Sequence, residues 1–122
     1  MKIQVSEDKT IRDIQEEFQH NFPYLKIELF HSAHRSGESS PKEKILDSTL
    51  SLRDCRWLHQ SGSLTYSPQT TVGELEQAFR ETFGLSVQVF RRSGKTYLQT
   101  TVTDPWTLEE QNSEGMMASL TV

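Results

Sequence analysis

Two stretches of this chain, residues 10–22 and 71–83, carry apolar residues at the same positions when they are aligned without a gap. The first stretch reads TIRDIQEEFQHNF and the second reads TVGELEQAFRETF. In each stretch the apolar residues follow one another at steps of three, four and four, which places them on one face of an α-helix. They are Ile11, Ile14, Phe18 and Phe22 in the first stretch and Val72, Leu75, Phe79 and Phe83 in the second. The sequence therefore predicts two equivalent amphipathic helices.

Both stretches begin and end with residues that are typical of helix ends. Thr71 and Glu74 form an S/T-x-x-E capping box, in which a hydroxyl and a carboxylate satisfy the free amides of the first turn, and Thr10 occupies the equivalent position. Pro23 follows the first stretch and Gly84 follows the second. Proline cannot continue a helix and glycine readily adopts the left-handed terminal turn, so we expect both helices to stop there.

Apolar and polar residues alternate after each predicted helix, at residues 25–29 and again at 85–89. A period of two indicates a β-strand. In the second half a short Arg-Ser-Gly turn follows, which predicts a β-hairpin formed by residues 85–92 and 95–102. In the first half a longer polar loop, residues 32–43, takes the place of this turn.

The same strand pattern occurs at three further places, residues 2–5, 63–67 and 117–122. Before the last of them, Asp104 and Pro105 have the order that is typical of a helix start, with Asp as the cap and Pro in the first turn. We therefore expect a short helix from Asp104 and a closing strand at the end of the chain.

The length of 122 residues falls in the usual range for one domain. Each amphipathic helix needs a sheet to bury its apolar face, so the predicted fold class is α+β, with internally duplicated helix-strand units packed on a sheet. The units cover about residues 1–60 and 62–122 of this single domain. A ferredoxin-like arrangement or a related two-layer sandwich is the first interpretation, and a ubiquitin-like grasp is the second.

Residues 71–89, with the pattern T-V-G-x-L-E-x-x-F-x-x-x-F-G-L-x-V-Q-V, are followed by Tyr97 and by D-x-x-T-L at residues 104–108. This pattern resembles a group of small uncharacterised bacterial proteins that carry the same helix-strand unit, often twice. The resemblance covers about two thirds of the chain and rests on core and capping positions. It implies an α+β fold and a bacterial origin, and it contributes no catalytic residue. The first unit departs from the pattern at Pro23 and in its serine-rich loop.

Composition and charge make several classes of protein improbable. No run approaches the roughly 20 apolar residues that a membrane-spanning helix needs. Cys55 is the only cysteine, and no secretory leader is recognisable, which together predict a cytoplasmic protein. The formal net charge is -4, and four acids but no Lys or Arg follow Lys95. An acidic chain lacks the main electrostatic term of nucleic-acid affinity, so no nucleic-acid partner is predicted.

Histidine and cysteine supply the few candidates for chemistry. His31 and His34 have no Cys or carboxylate at ligand spacing beside them, so we predict no metal and no cofactor. Cys55 lies between two arginines, which can lower the pKa of a thiol, and His59 follows four residues later as a base. A lone cysteine is more often a small, partly buried hydrophobic residue, so no catalytic residue is predicted.

Four residues are instead predicted to contact a partner: Trp106, Tyr97, Arg91 and Arg92. The leading functional hypothesis is a noncatalytic protein-interaction module, with a protein partner or a homodimer formed through the terminal strand at residues 116–122. The alternative hypothesis is a small-ligand binder or enzyme that uses the region of Cys55, His59 and His31 to His34.

Overall fold

A computed structural model of the chain describes residues 1–30, 45–55, 61–100 and 103–120. Its strands form two antiparallel sheets: one pairs β1 (Lys2–Val5) with β3 (Gly62–Thr65), and the other has the order β2 (Leu25–Phe30), β4 (Ser86–Ser93), β5 (Thr96–Gln99). The α+β class is therefore confirmed, and the arrangement is consistent with a two-layer sandwich. None of the helices in the described ranges combines the length and apolar character that crossing a membrane requires. The elements in chain order are β1 (Lys2–Val5), α1 (Ile11–Asn21), β2 (Leu25–Phe30), a 3-10 helix (Leu52–Asp54), β3 (Gly62–Thr65), α2 (Val72–Phe83), β4 (Ser86–Ser93), β5 (Thr96–Gln99) and α3 (Leu108–Leu120).

Helices α1 and α2 form where the sequence predicts them, and each begins with a reciprocal capping box. At α1 the backbone N–H of Asp13 donates to Thr10 Oγ1 over 3.2 Å. At α2 the backbone N–H of Glu74 donates to Thr71 Oγ1 over 3.1 Å. Helix α2 ends at Gly84, whose φ of 65° is the left-handed conformation that favours glycine. The predicted starts of both helices and this glycine stop are therefore confirmed.

One apolar core lies between the helices and the sheets. Phe18 of α1 and Phe79 of α2 are fully buried in it, at equivalent positions of the two helices. Phe30 and Phe90, which end the alternating pattern in each half, are also buried but do not belong to this cluster. Burying large side chains of this kind contributes about 1.5 to 3 kcal/mol each to folding.

The amino ends of α1 and α2 are held by the same set of backbone hydrogen bonds. In each helix the backbone N–H of the first residue donates to a carbonyl oxygen of a flanking segment, and the N–H of the second residue donates to the carbonyl oxygen two residues earlier in that segment. In return, the N–H of a leucine in the flanking segment donates to the carbonyl oxygen of the residue two positions before the helix. Segments 48–52 and 104–108 therefore occupy equivalent places in the two halves. The bonds at α1 are Ile11 N to Leu50 O (3.0 Å), Arg12 N to Ser48 O (2.9 Å) and Leu52 N to Lys9 O (2.8 Å), and those at α2 are Val72 N to Trp106 O (3.0 Å), Gly73 N to Asp104 O (3.0 Å) and Leu108 N to Thr70 O (2.8 Å).

Strand pairing relates the two halves in the same way. Alignment of the halves makes Leu64 the counterpart of Ile3 and Gln88 the counterpart of Glu28. In the sheets Ile3 lies opposite Leu64, and Glu28 lies opposite Gln88. A residue that faces its own counterpart is what an approximate internal twofold axis requires. The internal repeat stays a prediction, and this register supports it.

The hairpin of the second half is confirmed as β4 and β5, joined by a turn in which Gly94 has a φ of 63°. The predicted strand at residues 63–67 appears as β3, and its observed range is Gly62–Thr65. The predicted loop at residues 32–43 lies outside the described residues, as do residues 101–102.

The closing strand predicted at residues 117–122 is wrong, because residues 108–120 form α3. The helix start predicted at Asp104 is also wrong, since α3 begins at Leu108. Thr107 is the residue that caps it: the backbone N–H of Glu110 donates to Thr107 Oγ1 over 3.1 Å, and the backbone N–H of Thr107 donates to Glu110 Oε1 over 2.9 Å. This capping box favours a helix through the whole segment.

Gly115 explains why α3 lies close to the sheet. A Cβ atom at this position would lie 3.0 Å from both Cβ and the carbonyl oxygen of Tyr24, and 3.1 Å from Cγ of Arg91. The absence of a side chain therefore lets the helix approach β2 and β4 directly. Because residues 116–120 are helical, the association through a terminal strand that the sequence suggested has lost its structural basis.

Candidate functional site

A buried glutamine of α3 joins three parts of the fold. Gln111 is fully buried, and its Oε1 accepts a hydrogen bond from Nη1 of Arg91 on β4 over 3.1 Å. Its Nε2 donates to Oγ1 of Thr103 over 2.6 Å and to the carbonyl oxygen of Thr103 over 3.2 Å. Side-chain amides that are fully bonded in this way fix the relative positions of the elements they join.

Glu76 of α2 is a second buried polar residue that contacts β4. Its exposed fraction is 8%, and its Oε2 accepts a hydrogen bond from the backbone N–H of Val89 over 3.0 Å. The pKa of this carboxyl is raised from 4.5 to about 8, mainly by burial and also by the negative charge of Asp104, while the Val89 hydrogen bond and Arg80 oppose the change. The Glu76 carboxyl is therefore largely protonated at neutral pH.

The segment between β5 and α3 links these two groups. Thr100 Oγ1 donates to the carbonyl oxygen of Val89 over 2.8 Å, and the backbone N–H of Thr103 donates to the carbonyl oxygen of Thr100 over 2.9 Å. Among the described atoms of this network, Nε of Arg91 and Oδ1 of Asp104 are buried without a hydrogen-bond partner. Burial also raises the pKa of Asp104. The side-chain amide of Gln111 thus has its hydrogen bonds, whereas one polar atom each of Arg91 and Asp104 lacks a hydrogen bond.

Trp106 lies over the Arg91 end of this network, and its backbone N–H and carbonyl oxygen are both hydrogen-bonded. Its N–H donates to the carbonyl oxygen of Thr103 over 2.9 Å, and its own carbonyl oxygen accepts from the N–H of Val72 over 3.0 Å. The guanidinium carbon of Arg91 lies 5.7 Å from the centre of the indole ring, which is a cation–π contact. The side chain of Trp106 is nevertheless 38% exposed. The structure therefore presents to solvent part of an aromatic side chain that also contacts Arg91.

Acidic residues of α3 surround Trp106. A shallow depression is lined by Trp106, Glu109, Glu110, Ser113 and Glu114, which we call the Trp106 surface. Hydrogen bonds from the backbone and hydroxyl of Thr107 hold the pKa of Glu110 below its usual range. The Trp106 surface thus combines an aromatic ring with three carboxylates.

The structure brings together two of the four predicted contact residues, Arg91 and Trp106. Arg92 lies elsewhere, with its Nε donating to the carbonyl oxygen of Gly94 in the hairpin turn over 2.9 Å. Tyr97 lines a second depression, where the ammonium group of Lys26 lies 4.5 Å from the centre of its ring. That these four residues contact a partner stays a prediction.

The second depression corresponds to the buried acid site of the other half. Its polar lining includes Gln15, Gln19 and Ser48, together with Lys26, Glu28 and Tyr97. In the alignment of the halves, the first three residues are the counterparts of Glu76, Arg80 and Asp104. Gln15 Nε2 donates to Oε1 of Glu28 over 2.7 Å. The first half therefore has an uncharged amide at the position that Glu76 occupies in the second half.

Cys55 directly follows the 3-10 helix, and its Sγ donates to the carbonyl oxygen of Ser51 over 3.0 Å. Burial raises the pKa of this thiol, and the negative charge of Asp54 adds to the effect. A thiol with a raised pKa is less ionised near neutral pH, which does not favour a nucleophile. His59, His31 and His34 lie outside the described residues. Across residues 1–30, 45–55, 61–100 and 103–120, no three His, Cys, Asp or Glu side chains come together as a metal site would need.

Sequence reasoning missed Glu76 and Gln111, which look like ordinary polar residues of amphipathic helices. The raised pKa of Glu76 depends on its burial and on the charge of Asp104 in another segment, and no local pattern encodes either. The Thr107–Glu110 capping box was visible as T-L-E-E and gives the correct start of α3. No protein-family model, no curated protein and no solved structure matches this chain.

Proposed function

We propose that this chain is a noncatalytic protein-interaction module of a bacterial cytoplasmic protein and that it contacts its partner through the Trp106 surface. One observation carries the proposal: the Trp106 side chain is exposed while its backbone is bonded to both Thr103 and Val72. A large aromatic side chain in an ordered position is the usual anchor of a protein interface.

The energetic argument rests on preorganisation. Burial of an exposed tryptophan in a partner is worth up to several kcal/mol, and this gain is reduced when flexible side chains must be ordered on binding. Here Arg91 lies against one side of the ring, and Gln111 holds the guanidinium in turn. These contacts already restrict the Trp106 side chain in the free protein, so less conformational entropy is lost when a partner binds.

The same region offers little support for catalysis. The Glu76 carboxyl has a pKa near neutrality, yet it is 8% exposed and bonded to the backbone of Val89. A general acid or base must reach a substrate proton within hydrogen-bond distance, and a covered carboxyl does not do so. Cys55, which belongs to the alternative hypothesis of a small-ligand binder or enzyme, has a raised pKa.

Site-specific photo-cross-linking in cells that express the chain naturally tests the proposal. A photoreactive amino acid at Ser113, which lines the Trp106 surface, should cross-link a protein that mass spectrometry can identify. The same group at Gln77, an exposed position of α2, is the matched control and should give no such product. Trp106→Ala should reduce the Ser113 product about tenfold or more, because it removes the anchor.

Trp106→Phe keeps an aromatic ring and should retain part of the cross-link, and circular dichroism should show that both variants are folded. A Ser113 product that is unaffected in folded Trp106→Ala would contradict the proposal. So would the absence of any protein product from Ser113 when the chain is expressed at its normal level.

A further inference from the structure

The two halves of the chain place different groups at one equivalent position. Gln15 of α1 is the counterpart of Glu76 of α2 when the two helices are aligned. The Gln15 side chain donates from Nε2 to the carbonyl oxygen of Ile27 on β2 over 2.7 Å, and the Glu76 side chain accepts from the N–H of Val89 on β4 over 3.0 Å. The fold therefore has an amide at this position in one half and a group that can lose a proton in the other.

The charged groups that act on Glu76 come from two parts of the fold. Asp104, between β5 and α3, raises the pKa of the Glu76 carboxyl, and Arg80, one turn further along α2, lowers it. Strand β4 supplies the N–H of Val89, and Arg91 is the charged residue of β4 on the same side of the strand as Val89. An ionised Glu76 is thus stabilised by Arg80 and Val89 and destabilised by Asp104 and by burial.

Residues 103–106 are held to α2 by two backbone hydrogen bonds. The N–H of Gly73 donates to the carbonyl oxygen of Asp104, and the N–H of Val72 donates to that of Trp106, each over 3.0 Å. Amides of the first turn have no partner inside a helix, so α2 persists without these two bonds. A Cβ atom at Gly73 would lie 3.7 Å from Cβ of Asp104, so Asp104 lies against the face of α2 that carries Glu76 three residues later.

Strand β4 is the fixed side of this arrangement, because it is paired with β2 on one side and with β5 on the other. Val89 is therefore held in place when the charge of Glu76 changes. Residues 103–106 are the side that yields, since they connect β5 to α3 and include the exposed Pro105 and Trp106. Their movement takes Asp104 away from the carboxylate and admits water to it, which relieves both the repulsion and the burial.

We propose that loss of the Glu76 proton releases residues 103–106 from α2, so that this part of the chain is a pH-dependent switch of the position of Trp106. In the protonated form the bond from Val72 holds the backbone of Trp106. In the ionised form that bond is broken, and the indole ring loses its fixed position beside Arg91. The pKa of about 8 places the change just above neutral pH. The switch belongs to the free chain and does not depend on a partner.

Exchange of backbone amides with water, measured by NMR on the full chain at pH 6 and pH 9, tests the proposal. Protection is expressed relative to the intrinsic exchange rate at each pH. The amides of Val72 and Gly73 should lose protection about tenfold or more between the two pH values, because both bonds to residues 103–106 are broken. Ile11 and Arg12 make the equivalent bonds in the first half and should change less than about twofold.

Two variants assign the effect to Glu76. Glu76→Gln places an amide in the second half as well, so the protection of Val72 and Gly73 should be the same at both pH values. Glu81→Gln, at an exposed position of the same helix, is the matched control and should behave as the unchanged chain does.

Three outcomes would overturn the proposal. The first is unchanged protection of Val72 and Gly73 in the folded chain at pH 9. The second is an equal loss at the control amides of α1, which would mean that Glu76 ionises only when the whole chain unfolds. The third is a loss that persists in Glu76→Gln, which would assign the change to another titrating group. Cross-linking from Ser113 is measured separately, so a failure of the proposed function and a failure of the switch are distinguishable.

Discussion

The buried carboxyl of Glu76 should make the protein less stable as the pH rises. Its pKa is raised by burial from 4.5 to about 8 in the folded chain. In the unfolded chain the carboxyl ionises above its ordinary pKa, whereas the folded chain keeps it protonated up to the raised value. The free energy of unfolding therefore decreases between pH 4.5 and about 8, by an amount of about 4 to 5 kcal/mol if the full pKa difference applies.

Glu76→Gln removes this pH dependence while keeping an oxygen that accepts the Val89 hydrogen bond. Urea unfolding at pH 5 and at pH 8 measures the effect. We expect the variant and the wild type to be close at pH 5 and the variant to be more stable by about 3 to 5 kcal/mol at pH 8. Glu81→Gln, at an exposed position of the same helix, should change stability by less than about 0.5 kcal/mol at both pH values.

The reasoning about Glu76 would be refuted by a stability difference of the same size at pH 5 and pH 8. That outcome would mean that the carboxyl ionises alike in the folded and unfolded chains. Circular dichroism at each pH establishes that the folded state being compared is the same.

Other positions give three further predictions, each measured by urea unfolding. Phe18→Ala and Phe79→Ala should each cost about 3 to 5 kcal/mol, because both rings are fully buried, and a loss below about 1 kcal/mol at either would refute the shared core. Gly115→Ala should cost about 1 to 3 kcal/mol, because α3 must move off the sheet, and a stabilised variant would contradict that contact. Thr107→Ala should cost about 0.5 to 2 kcal/mol through loss of the cap shared with Glu110, whereas Thr107→Ser should be nearly neutral.

Local chemistry explains why α1, α2 and the hairpin could be predicted from the sequence. The capping residues Thr10 and Thr71 and the glycines Gly84 and Gly94 act through hydrogen bonds and backbone conformations within a few residues. The alternation of apolar and polar residues in the strands is likewise a pattern within a few residues. These signals do not depend on how distant parts of the chain meet.

Helix α3 could not be predicted in the same way because two local signals conflict. Residues 116–122 are uncharged and alternate in the manner of a strand, and Gly115 resembles a break before them. In the structure Gly115 lies inside the helix because Tyr24 and Arg91 leave no room for a side chain. A requirement for close packing against another element overrides the ordinary cost of a glycine in a helix.

The candidate site depends still more on tertiary contacts. Trp106 and Arg91 were both predicted as contact residues, yet their meeting requires α3 to cross β4 and Gln111 to hold the guanidinium. The pKa of Glu76 depends on its burial in the folded chain and on the nearby charge of Asp104. The contact between Trp106 and Arg91 and the raised pKa of Glu76 both depend on residues that are distant in the chain, so local sequence patterns could not predict them.

The pairing of counterpart residues in both sheets has a consequence for how the chain folds. Ile3 pairs with Leu64 and Glu28 pairs with Gln88, so the partners in each sheet are about 60 residues apart in the chain. Apart from the β4–β5 hairpin, every strand pairing in the described sheets joins the first half to the second. Neither half can complete a sheet before the other has been made, so folding should be slow for this length and unfolding should occur in one cooperative step.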